Sequence, residues 1–404
     1  ATGPTPSANW SQLALRMLEA DQFRLGLYVH WPFCERRCPY CDFNVHELDP
    51  DQPTDQARWA AALSAELRHF APLAQGRRLT SIFFGGGTPS LMAPETVEAV
   101  IDTARREIGF LNDIEITLEA NPTSANAERF AGYRAAGVNR LSLGIQSLRP
   151  DALLALGRQH SVDEALAALE LARSAFDNLS FDLMYARPRQ DREDWAAELD
   201  QALALRPDHI SLYQLTIEPN TIFEQLARKG IIRPKEDDET ADFYHWTRQR
   251  LSAAGYHGYE VSNHAAAPDR ESAHNRLYWA YQDYIGIGPG AHGRLTTDGA
   301  KTATRQHRAP SVWLDQVEAQ GHATVTHETL SAEDRLAEAL PFGLRLTEGL
   351  PLAHFEALAP GLLSAGKIEA LRAEGYLMAR DDDWLQVSDE GRPVIDALAR
   401  YLQS

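Results

Sequence analysis

Cys34, Cys38 and Cys41 are the only cysteines in this 404-residue chain, and all three lie within YVHWPFCERRCPYCDF. Three is an awkward number for most thiol chemistry. Disulfides would leave one thiol over, and a chain this long does not need staples. A closed structural zinc site takes four ligands. His30 and His46 flank the run, but its gaps of three and then two residues are not the repeated two-residue gap of a zinc knuckle. Iron–sulfur clusters also usually take four thiolates. A cubane held by three has one iron with an open position, where a substrate or reagent can bind. The count therefore points to a reactive cluster, against the plainer reading of cysteines that hold no metal.

Two further stretches have chemical potential. GGGTP at Gly85–Pro89 carries consecutive glycines, which let backbone N–H and C=O groups approach a ligand closely. The plain alternative is a strand-to-helix turn. Farther on, ESAHNRLYWAYQDYIGIGPGAHG is dense in aromatics and glycine, with His274, Asn275, Tyr278 and Trp279 together and His292 following. A histidine beside Tyr and Trp is what a haem or porphyrin pocket would need, imidazole for the iron and aromatic faces for the macrocycle. His274 could equally be a hydrogen-bonding residue tying two parts of the fold together.

The elements that must position these residues alternate. Strand-like runs fall at Leu25–His30, Leu79–Phe84, Ile114–Glu119, Arg140–Gln146, Leu179–Tyr185 and His209–Thr216. Helical patterns lie between them. Trp59, Leu63, Leu67 and Phe70 share one helix face, and Ser161 with Glu164 has capping-box spacing. Strand then helix, six times over, reads as a parallel α/β sheet with right-handed crossovers, either doubly wound or a barrel. In both, working residues sit at the C-terminal ends of strands. The cysteine loop follows the first run and GGGTP the second. Glu119 ends the third, Gln146 ends the fourth, and Asp182 lies in the fifth.

The last eighty or so residues read as two helices, a short β-ribbon around Trp384–Val387 and a final helix, an order similar to a winged helix. The run ARDDDWLQVSDEG is acidic where a DNA-reading wing would be basic. The net charge of −18 likewise argues against a nucleic-acid surface. No apolar run approaches the ~18–20 residues of a membrane span. The N-terminus lacks the pattern of a signal peptide. Residues 1–23 are expected to be a flexible tail. Thiolate clusters belong in a reducing compartment, so a cytoplasmic location is expected.

The spacing C-x-x-x-C-x-x-C resembles the signature of the radical S-adenosylmethionine (SAM) superfamily. With FFGGGTPS, ITLEANP, NRLSLGIQS, LGRQH, FDLMYARPRQ, SLYQLTIEPNT, HNRLYW and GIGPGAHG, the chain from about residue 24 onward resembles the HemN/HemW branch. The resemblance implies a partial (β/α)6 radical SAM barrel over 24–265 with its cluster loop at 30–43. A connecting segment over 266–325 and a C-terminal HemN-type, winged-helix-like domain over 326–404 would follow. It implies a 4Fe–4S cluster on Cys34, Cys38 and Cys41. SAM would be held by Tyr28, Gly86, Gly87, Thr88 and Glu119, with Gln146, Arg158 and Asp182 at positions that also contact SAM, including a second molecule.

Within the branch, coproporphyrinogen III dehydrogenases carry a further Cys two positions after the third. Here Phe43 stands there. The haem-chaperone type lacks that Cys and carries the H-N-x-x-Y-W motif matched by His274–Trp279. The resemblance thus implies a haem chaperone, with haem as cargo near His274, Tyr278, Trp279 or His292. Haem-acceptor proteins and a flavodoxin- or ferredoxin-like electron donor would be its partners. Peripheral membrane association is compatible with it. The alternatives are an oxygen-independent coproporphyrinogen III dehydrogenase and a HemN-like radical SAM methyltransferase. Two departures from the branch are Arg187, in ARP where GLP is common, and His264, where Phe is usual. Arg187 is a candidate contact for a haem propionate, or is merely tolerated there.

Overall fold

The computed structural model describes residues 24–51, 53–379 and 383–403. The expected tail over 1–23 and residues 380–382 of the acidic run lie outside them. Six strands form the centre: β1 (Arg24–Trp31), β2 (Arg78–Gly86), β3 (Phe110–Ala120), β4 (Arg140–Gln146), β5 (Leu179–Tyr185) and β6 (His209–Gln214). They pair in parallel in sequential order, β1 to β6. A doubly wound sheet reverses its strand order part-way. This one does not, and the fold is a partial (β/α)6 barrel.

Alternation along β1 shows how the strand serves both faces. Leu25, Leu27, Val29 and Trp31 are buried in the layer shared with the helices. Tyr28 and His30, on the other face, meet Phe83, His274 and Gly86 in the barrel interior. The outer helices are α1 (Gln56–Phe70), α2 (Pro94–Glu107), α3 (Ala127–Ala136), α4 (Val162–Ala175), α5 (Arg192–Ala204) and α6 (Asp237–Ala253). The expected face of α1 is buried at Trp59, Leu63, Leu67 and Phe70. Ser161 and Glu164 form the reciprocal capping box of α4.

Beyond β6 the sheet continues. Strands β7 (His257–Gly258) and β8 (Asn263–Ala265) add antiparallel to β6. The short helix α7 (Ala273–Trp279) then crosses the N-terminal end of the barrel, with Leu277 occupying the space a Cβ on Gly26 would need. The segment 266–325 is more than a connector. Strand β9 (Tyr284–Ile287) pairs in parallel with β1, and β10 (His292–Thr297), β11 (Ala300–Gln306) and β12 (Thr324–Thr329) follow antiparallel, giving a twelve-stranded sheet. Its four-residue first strand is too short for its periodicity to identify it. Helix α8 (Pro310–Gln320) packs on α1, with Trp313 stacked on Trp59 at 5.2 Å between centroids.

The C-terminal unit has its own core. It comprises α9 (Ala332–Gly343), α10 (Leu352–Leu358), α11 (Ala365–Ala373) and α12 (Ile395–Gln403), with a ribbon pairing Leu350–Pro351 to Trp384–Leu385. Helix α10 adds to the expected order. It has seven residues, too few for a helical period to stand out. Ion pairs Arg294–Glu338 (2.7 Å) and Arg345–Glu260 (2.9 Å) join the unit to the barrel sheet.

Candidate functional site

The parallel register places Trp31 beside Gly86, so the loop leaving β1 and the turn leaving β2 emerge side by side. The cysteine loop is cross-braced. Cys41 N donates to Cys38 O at 3.1 Å, and the Arg37 guanidinium bonds Cys41 O at 3.0 and 3.3 Å. Its base is a parallel bridge of Phe33–Cys34 with His46–Glu47. All three cysteines are free and half-buried.

The glycine turn lies against this base. Gly87 N donates to Trp31 O (2.7 Å) and Thr88 N to Phe33 O (2.8 Å). A Cβ on Gly87 would stand 2.5 Å from Phe33 O, and one on Gly86, at φ +110°, would stand 2.6 Å from the His30 ring. Only glycine fits at Gly86 without strain.

Cys34, Cys38, Cys41, Gly86, Gly87, Thr88, Glu119, Gln146, Arg158 and Asp182 line one cavity of about 450 Å³ at the C-terminal ends of the strands. Gln146 has φ +72° and follows a register shift in β4. Arg158 reaches back to bond Gly144 O (2.6 Å) and the Cys38 sulfur (3.6 Å). Two buried carboxylates form the floor. Burial, then the charge of Asp182, pushes Glu119 up to about 8, against the pull of the Gly86 N–H and of Arg140. Burial pushes Asp182 up to about 6, opposed by the Ser211 hydroxyl, Arg140 and Ser142. Burial also pushes the Cys34 thiol up to about 11, opposed by a hydrogen bond with Thr88.

These residues fit the cofactors that the resemblance implies, a 4Fe–4S cluster and SAM. Three free thiols share a cavity wall, bare backbone stands next to them, and carboxylates that prefer to be neutral would gain a counter-charge from a cationic ligand. His30 is not a fourth ligand. Its Nε2 bonds Asn44 O and its Nδ1 the Tyr28 hydroxyl, both at 2.9 Å. Among the described residues no three His, Cys, Asp or Glu side chains converge on a single-ion site.

The remaining sequence candidates lie elsewhere. Tyr28 is below the cavity, its ring near Phe83 and His274. His274 is 1% exposed at the barrel's other end, with Nδ1 2.9 Å from Ser81 Oγ. Burial pushes its pKa down to about 3. A haem iron could reach its Nε2 only if α7 moved. Tyr278 packs between His274 and Tyr284. Trp279 packs on Phe342 of the C-terminal unit under the Arg345 guanidinium. His292 is exposed on β10, opposite Arg305 of β11. His274 and Tyr278 are thus in contact, while Trp279 faces the C-terminal unit. Arg187 is 8% exposed and paired with the fully buried Glu198 at 2.6 Å, so it is not free to meet a propionate. His264 is buried on β8, and burial pushes its pKa down to about 3.

Sequence reasoning passed over Ser142, Met184, Tyr213, Gln214, Thr216 and Glu218, which also line the cavity. For Met184, Tyr213 and Gln214 the place at the ends of β5 and β6 was the available signal.

The Radical SAM superfamily model matches residues 28–202, and the HemN C-terminal domain model matches 330–394. The heme chaperone HemW of Escherichia coli is 38% identical over 379 residues, covering 93% of this chain and 97% of that protein. The chain belongs to the HemW family of radical SAM proteins. The mouse mitochondrial radical S-adenosyl methionine domain-containing protein 1 is 40% identical over 94% of this chain and 87% of its own. The structure of E. coli coproporphyrinogen III oxidase, HemN, superposes with a TM-score of 0.77, covering 96% of this chain and 93% of that one at 23% identity. That likeness establishes the shared fold of the family. Its radical SAM character implies a 4Fe–4S cluster and SAM as cofactors.

Proposed function

We propose that this protein is a haem chaperone that binds haem and delivers it to haem-requiring acceptor proteins. The observation that carries the reading is the match, over nearly the whole length of both chains, to proteins named as heme chaperone HemW. Phe43 supports it. It is 61% exposed beside the cavity, where the coproporphyrinogen dehydrogenase pattern calls for a fourth cysteine.

In this reading Cys34, Cys38 and Cys41 hold the cluster, which when bound supplies the electron and the open iron at which SAM is held and cleaved. Gly86 and Gly87 give the methionyl end bare backbone to approach, and Thr88 steadies the Cys34 thiolate. Glu119 loses its proton when a cationic ligand arrives and then holds it by charge. Arg158 sets the position of the Cys38 sulfur. The reading also places the protein in the cytoplasm, with a flavodoxin- or ferredoxin-like electron donor.

Anaerobic reconstitution should load about four irons per chain, the stoichiometry of a cubane. The reconstituted protein should then bind haem with a Soret band and pass it to an apo-acceptor, leaving coproporphyrinogen III unconverted with SAM and reductant. Conversion of coproporphyrinogen III would overturn the chaperone reading. Cys38→Ala should lose the cluster. Iron retained in that variant would overturn the cluster assignment.

A further inference from the structure

No residue of the GIGPGAHG segment lines the cavity, yet the segment is held from two sides. Glu66, fully buried on α1, accepts from Gly288 N (2.8 Å), Ala323 N (3.0 Å) and Trp313 Nε1 (3.0 Å). On the opposite side is Asn44, three residues beyond Cys41. Its Nδ2 donates to Pro289 O and to Arg308 O, both at 2.9 Å. An amide nitrogen has two N–H donors, and both are used. The approach is close enough to require glycine. A Cβ on Gly290 (φ +81°) would stand 2.6 Å from Asn44 Nδ2, and one on Gly288 (φ +94°) would stand 2.3 Å from His30 O.

Asn44 is also tied to the ligand-binding strand ends through its backbone. Asn44 O can only accept, so the proton of the His30 ring is on Nε2, and Nδ1 accepts from the Tyr28 hydroxyl. The same ring packs where Gly86 lacks a Cβ. One asparagine thus connects the returning leg of the cysteine loop, the Pro289–Gly290 turn and, through His30, the glycine turn of β2.

We propose that Asn44 is a positioning residue: its side-chain amide fastens the cysteine loop to the Pro289–Gly290 turn and the Arg308 carbonyl, and so fixes the thiolates relative to Gly86–Thr88. GIGPGAHG is then the anchor of the cluster loop, with buried Glu66 as its rear support. This rests on the assignment of the cluster to the three cysteines. The fastening itself is made by protein groups alone.

The chemistry predicts an order of effects. Asn44→Ala removes two donors. Asn44→Asp puts a carboxylate against two carbonyl oxygens, so it should be worse than alanine although it is nearly isosteric. In apoprotein, amide exchange at His46 and Gly290 should speed up at least about tenfold in Asn44→Ala and more in Asn44→Asp, as expected for two lost hydrogen bonds. Amides of α9 and α12 should be unchanged. In reconstituted protein, the SAM-induced change in the EPR spectrum of the reduced cluster should need about tenfold more SAM in Asn44→Ala at wild-type iron content. Should Asn44→Asp fail to fold, Asn44→Ala and Asn44→Ser decide. Wild-type exchange with a wild-type SAM titration would overturn the proposal, as would loss of protection spread evenly over the barrel. If wild type takes up no cluster, the cluster assignment fails and the exchange arm still decides whether Asn44 fastens the loop.

Discussion

Nδ1 of His274 lies 2.9 Å from the hydroxyl oxygen of Ser81, and this bond ties the helix that crosses the barrel's N-terminal end to the strand that leads to Gly86. The ring is packed by Tyr28, Phe83 and Tyr278. His274→Ala removes a buried hydrogen bond and leaves a void, for an expected loss of about 1–3 kcal/mol. Thermal unfolding should show it as a lower Tm. Haem affinity of the folded fraction should be unchanged. Lost haem affinity at an unchanged Tm would instead put the iron on this imidazole.

Gly86→Val should abolish SAM binding while the protein still takes up iron. The added Cβ meets the His30 ring and Trp31 O at 2.6 and 2.9 Å, at a φ of +110° that a β-branched residue avoids. Equilibrium SAM binding and iron analysis on the same preparation check this. Wild-type SAM affinity would remove the glycine turn from the site.

Glu119 should make apoprotein stability and SAM affinity depend on pH in opposite senses. Its folded pKa, about 8, is above its ordinary value of 4.5. The folded state therefore holds the proton longer, and this contribution is complete below about pH 4.5 and lost as pH rises through about 8. Glu119→Gln should flatten the fall of apoprotein Tm over that window. A cationic ligand prefers ionised carboxylates, so wild-type SAM affinity should rise with pH up to about 8, and Glu119→Gln should remove the part of the rise above the Asp182 value of about 6. Parallel pH profiles for the two proteins would exclude Glu119 from ligand binding.

Arg187 should matter for stability and not for haem. Its partner Glu198 is fully buried and also accepts from Leu148 N at 2.8 Å. Arg187→Ala strands that carboxylate, at a cost of about 3–5 kcal/mol. Denaturant unfolding should record the loss, and adding Glu198→Gln should recover part of it. Haem affinity falling without a stability change would return Arg187 to the binding site.

The six barrel strands and the cysteine loop are legible in the sequence, and the resemblance supplies Gly86, Glu119, Gln146, Arg158 and Asp182 of the cavity wall. Six parallel strands fall on the six β-rich runs, because each is a short apolar run closed by polar or glycine residues. Strand ends then place Gly86, Glu119, Gln146 and Asp182 together, because a parallel barrel brings all C-terminal ends to one rim. The three cysteines are local in sequence and needed no fold to be grouped.

Contacts between residues distant in sequence are set by packing and are not legible in the sequence itself. His274 beside Tyr278 and Trp279 has the composition of a ligand pocket. Yet a short helix turns these side chains in different directions, the imidazole toward Ser81 and the indole toward Phe342. Arg187 had no visible partner until α5 packed on β5 and brought Glu198 to it. Asn44 and Pro289 are 245 positions apart, and nothing local in either could announce a hydrogen bond that exists only because β9 pairs with β1. Side-chain type and spacing carry the chemistry of a site. The direction in which each side chain points is set by packing that the spacing does not encode.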